Sequence, residues 1–117
     1  MIDQHREAML DILAMEVMGF TPRPQPEGWY VRDHFPFFWD PLDEWADAWQ
    51  LLARLADLGC NIDFLNYKDG RRVVIVQGPD RYGEGEDRSC IRRALCLAAV
   101  QAFRKNQELY EERESNP

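Results

Sequence analysis

Cys60-Asn61-Ile62-Asp63-Phe64-Leu65-Asn66-Tyr67-Lys68-Asp69-Gly70-Arg71-Arg72-Val73-Val74-Ile75-Val76 decides the fold class. Cys60, Ile62 and Phe64 alternate with Asn61, Asp63 and Leu65, the period of two that a strand requires, and Val73 to Val76 is a strongly β-prone run. Asp69-Gly70 between them is a turn signal, so the stretch predicts an antiparallel hairpin. Helical patterns lie on both sides of it, which makes the chain α+β.

Immediately upstream, Asp40 reads as an N-cap, Pro41 as the first helical residue, and Asp43 and Glu44 as first-turn acids that complement the helix dipole. Leu42, Trp45, Ala48, Trp49, Leu52, Leu55 and Ala56 then mark one apolar face, which places Trp45 and Trp49 in the core. Gly59 ends the helix after Leu58. Downstream, Gly78, Pro79, Gly83 and Gly85 predict a flexible acidic loop. From Asp87 or Ser89, the residues Ile91, Ala94, Leu95, Ala98, Ala102 and Phe103 predict a third helix.

At the N-terminal end, Met9, Leu10, Ile12, Leu13, Val17 and Met18 recur at three- and four-residue spacings, giving a helix over residues 2–18 that Gly19 caps. Residues 21–28 alternate proline with polar residues and predict an extended connector. Trp29, Tyr30 and Val31 favour a short edge strand. A small sheet cannot bury three amphipathic helices on one face, so the expected architecture is an α-β-α sandwich with helices on both faces. The domain spans residues 1–107, and residues 108–117 form a charged tail that frays.

The chain has 117 residues, enough for one core, with 45% hydrophobic residues and a formal charge of −7. That charge repels phosphate backbones and argues against direct nucleic-acid binding, while it suits a basic surface on another protein. No run is long enough to span a membrane. Cys60, Cys90 and Cys96 are odd in number and form no C-x-x-C pair. They point to a reducing cytoplasm and to buried, unpaired thiols.

Chemistry is sparse. A phosphate loop, a nucleophile elbow and a zinc-protease motif are all missing, which argues against an enzyme and calls for no cofactor. His5 and His34 are far apart, so no metal site is expected. Asp40, Asp43, Glu44 and Asp47 could pair for acid-base work, but capping explains them more simply. Phe35, Phe37, Phe38 and Trp39 are more aromatic area than a small core needs and predict a partner-binding anchor. Asp80, Arg81, Tyr82, Glu84 and Glu86 form its polar rim. Arg81 and Arg88 could also take an anion beside the third helix.

Val17-Met18-Gly19-Phe20, the segment from Trp39-Asp40-Pro41 to Ala48-Trp49, and Ile91-Arg92-Arg93-Ala94-Leu95 together resemble the phage ABA sandwich domain family. The resemblance covers about residues 5–103 and carries no catalytic residues. It implies a sandwich fold and a phage or prophage gene product acting in the host bacterial cytoplasm. On that footing the expected function is a non-enzymatic binder that inhibits a bacterial defence complex, anti-CRISPR-like, through contact with a host protein. The alternatives are sequestration of a nucleotide signal and a structural or regulatory homo-oligomer.

Overall fold

In the computed structural model, which describes residues 4–22, 29–32 and 35–115, the central hairpin forms as its alternation requires. β4 (Asn61–Asn66) pairs antiparallel with β5 (Arg72–Gly78), with Ile62 opposite Val76 and Phe64 opposite Val74. The turn closes through Gly70, whose φ of 92° suits a residue without Cβ. Asp69 accepts the N–H of Arg71 at 3.1 Å.

The acidic, glycine-rich segment is not a loop. It is a third strand, β6 (Arg81–Asp87), paired with β5 over its whole length in the order β4-β5-β6. Pro79 and Asp80 are the two turn residues, and Asp80 adopts φ 63°. Glycine here serves packing rather than freedom. Gly83 and Gly85 share one face, and a Cβ on either would overlap backbone atoms of α3 (Ile91–Ser115) at Ala98 and Ala102 or at Ala94 and Ala98. Ala94, Ala98 and Ala102 recur every four residues, so a stripe without bulk on the helix lies directly on a strand without bulk.

α1 (Gln4–Ile12) continues in π-helical turns through Leu13–Met18 and stops at Gly19, φ 75°, as the sequence predicts. The N–H groups of Gly19 and Phe20 both turn back to the carbonyl of Ala14. The expected edge strand belongs instead to a separate three-stranded sheet: β1 (Thr21–Pro22), β2 (Trp29–Arg32) and β3 (Phe35–Phe38), in that order. The connector beyond Pro22, the segment with Asp33 and His34, the first three residues and the last two lie outside the described residues. The charged tail is helical in backbone as far as Ser115.

α2 (Trp45–Asp57) begins later than its signals suggest. Asp40 does cap, since its Oδ1 accepts the N–H groups of Leu42 and Asp43 at 3.0 and 3.3 Å, but what it caps is a separate turn over Pro41–Asp43. Glu44 is extended, φ −112° and ψ 119°, and stands as the N-cap of the helix proper. Asp40 is buried and ion-paired to Arg6, which ties this turn to α1 and offsets it from the helix. At its other end α2 stops at Gly59, φ 86°, as the sequence predicts.

The described molecule is α+β, with three helices and two small antiparallel sheets. The core joins Leu13 and Val17, Tyr30 and Trp39, Leu51 and Leu55, Val74 and Val76, and the alanine face of α3. α3 covers the Gly83–Gly85 face of the second sheet, while the other face keeps Asp63, Leu65, Gln77, Tyr82, Glu84 and Glu86 exposed. Among the described residues the helices therefore lie on one face of that sheet, where both faces were expected to be covered. The small first sheet closes the aromatic end of the core instead.

Candidate binding surfaces

The strand register builds a surface on the uncovered face of the second sheet. Cross-strand partners share a face, so Asn61, Gln77 and Tyr82 form one row, Asp63, Ile75 and Glu84 the next, and Leu65, Val73 and Glu86 a third. Half-buried Ile75 thus lies between the carboxylates of Asp63 and Glu84, while Val73, between Leu65 and Glu86, is buried. Tyr82 donates its hydroxyl to Glu84 at 3.2 Å, and partial desolvation of the phenol, followed by this carboxylate neighbour, raises the Tyr82 pKa. Glu86 lies 3.9 Å from the Arg71 guanidinium. A surface of this kind holds no reacting pair, but it can meet a basic partner.

Of the expected rim, Tyr82, Glu84 and Glu86 fall together on that face. Asp80 is taken up by the tight turn, and Arg81 lies on the opposite face, its guanidinium 4.1 Å above the Phe103 ring. Arg88 donates to the backbone carbonyl of Asp69 at 2.9 Å, so neither arginine faces a shared anion site.

The expected aromatic anchor divides. Trp39 is 1% exposed and belongs to the core, edge-on to Phe20 at 5.5 Å and to Tyr30 at 6.2 Å. Phe37 is half-buried and meets Phe20 at 4.7 Å, whereas Phe38 is 50% exposed. Phe35 lies on β3, and its side chain is outside the described residues. These residues sit in the first sheet and the acidic rows in the second, so anchor and rim do not form one continuous strand surface.

Also left outside are the two tryptophans expected in the core. Trp45 is 50% and Trp49 62% exposed, with ring centres 6.5 Å apart. With Phe64 and Asn66 of β4, Arg72 of β5 and Arg92 of α3 they line an open groove of about 670 Å³. Arg92 is held by its Nε–H to the carbonyl of Leu42 at 3.1 Å and lies 4.7 Å from the Trp45 ring centre. Periodicity alone did not find this groove, because the residues that α2 buries are Ala48, Leu51 and Leu55, which leaves Trp45 and Trp49 outside.

A partly buried polar knot gathers around Asp40. Burial raises the Asp40 pKa more than the Arg6 guanidinium lowers it, and Asp43 raises it further. Asp47 accepts the backbone N–H of Asp40 at 2.8 Å. The Cys96 thiol is pushed up to about 12, chiefly by burial and then by Asp40. These contacts join α1, the turn and α2, which is a structural role. Among the described residues no group of three potential metal ligands gathers, and no helix is long and apolar enough to cross a membrane.

No family model matches the chain, and no curated protein matches it. A solved structure does: a crystal structure of a phage protein from Bacillus cereus ATCC 14579 is similar with a TM-score of 0.65 and 13% identity. The match covers 83% of this chain and 90% of that one, and at this identity what the two proteins are shown to share is the fold.

Proposed function

We propose that this chain is a small phage or prophage accessory protein of the ABA sandwich family, a non-enzymatic binder that inhibits a bacterial defence complex in the host cytoplasm. The observation that carries the reading is the uncovered sheet face, where Asp63 and Glu84 flank Ile75 in register and Glu86 and Leu65 stand exposed in the next row. Carboxylates so placed match a basic channel on a partner, and Leu65, Ile75 and Tyr82 supply the apolar centre of a contact. The phage protein of similar fold supports the genomic setting.

The test is plaque formation by a targeted phage on cells carrying a CRISPR effector, with and without expression of this chain. The parent restores plaques, and a Glu84→Lys, Glu86→Lys variant that stays folded does not. Failure of the parent across a panel of defence systems, or full activity of the reversed variant, overturns the proposal.

A further inference from the structure

The groove between α2, β4 and the start of α3 differs from the rest of the molecule in charge. Acidic residues outnumber basic ones by 21 to 14 in the chain, yet among the described residues no Asp or Glu lines this groove. Two arginines do. Arg72 and Arg92 each donate one hydrogen bond to a backbone carbonyl, of Ser89 and Leu42, and neither has a carboxylate within ion-pair distance among the described residues. Most of their donor capacity is open to a ligand. Beside them Trp45, Trp49 and Phe64, the last 46% exposed, leave a large aromatic area in water.

The floor of the groove is an edge strand. β4 pairs with β5 on one side, and among the described residues no strand pairs with it on the other. A strand added to that edge would point every second side chain to the face that carries Phe64, toward the tryptophans and the two guanidinium groups. We propose that this groove binds an extended acidic peptide segment of a partner protein, which adds to the β4 edge, seats a bulky apolar side chain between Trp49 and Phe64, and places a neighbouring carboxylate on Arg72 and Arg92. A nucleotide would satisfy the arginines but leave the strand edge unused, which is why the peptide is preferred. The inference concerns the opposite face of the sheet from the acidic rows and does not depend on them.

The experiment is selection from a displayed library of random peptides on the purified full chain, followed by anisotropy titration of the enriched sequences. Enrichment of sequences that pair Asp or Glu with an aromatic or large aliphatic residue is expected. Their affinity should fall about tenfold or more with Arg72→Glu, and similarly with Trp49→Ala. Both side chains are exposed, so both variants should keep the parent melting temperature, and Glu84→Lys should bind the peptides normally. No enrichment, enrichment without acidic residues, binding unchanged in both groove variants, or a nucleotide that competes the groove while no peptide does, each overturns the proposal.

Discussion

Asp40 and Asp87 are both aspartates near a helix start, yet folding moves their protons in opposite directions. The folded Asp40 carboxyl lies above its ordinary 3.8, so its stabilising contribution is present at low pH and is lost as pH rises through the raised value. Burial would raise Asp87 too, but the Ser89 and Cys90 N–H groups, the Ser89 hydroxyl and Arg93 outweigh it and hold Asp87 below 3.8. Its contribution is present above 3.8 and is lost as pH falls through the lowered value. Urea midpoints measured against pH should therefore show Asp40→Asn gaining on the parent as pH rises from 3.8, and Asp87→Asn losing least in acid. Parallel curves for the two variants would contradict the assignment. The thiols give a second check. With Cys96 and Cys60 buried and their pKa values raised, a disulfide reagent at mild alkaline pH should label native protein at the half-buried Cys90 first and the other two only on unfolding. At this scale the sequence identified buried, unpaired Cys60 and Cys96 correctly, because a cysteine in an apolar pattern needs only local context. It misplaced Trp39 against Trp45 and Trp49, because which tryptophan is covered depends on elements far away in the chain.

The strand read as a loop shows what element-level signals can and cannot say. Gly78, Pro79, Gly83 and Gly85 are breakers by propensity, and the segment's carboxylates strengthen that impression. Its structure depends on a tertiary fit: glycines two apart on a strand against alanines four apart on a helix, a pairing legible only once both elements are known to face each other. Gly83→Ala or Gly85→Ala should cost about 2–3 kcal/mol or more, since overpacking here drives a methyl into helix backbone. Chemical denaturation measures it, and a neutral result would return the segment to a loop. The hairpin, the Gly19 and Gly59 helix ends and the third helix were legible because each rests on local chemistry alone. The start of α2 was half legible: the cap and proline act as expected, but a buried ion pair from α1 makes them a turn of their own.

Across the whole molecule, the two surfaces are separated by the sheet itself. Side chains at 63, 84 and 86 are exposed on the face away from α3, so Asp63→Lys, Glu84→Lys and Glu86→Lys should each change stability by no more than about 0.5 kcal/mol. Trp39→Ala should cost about 3–5 kcal/mol. Thermal unfolding distinguishes the two classes, and a large loss from the lysine variants would mean that the acidic face is covered. The α+β class followed from the sequence, but the layering did not, because a hairpin's periodicity says which residues share a face and not which face the helices choose.

The alternation along β6 has an evolutionary meaning. Positions 83 and 85 are fixed by contact with a helix backbone, while 82, 84 and 86 point the other way and are exposed. A lineage pressed to follow a changing target could rewrite every second letter of this strand and keep its architecture intact. In divergent descendants the two glycines should therefore persist between freely drifting neighbours, a pattern of alternating constraint and licence within seven residues.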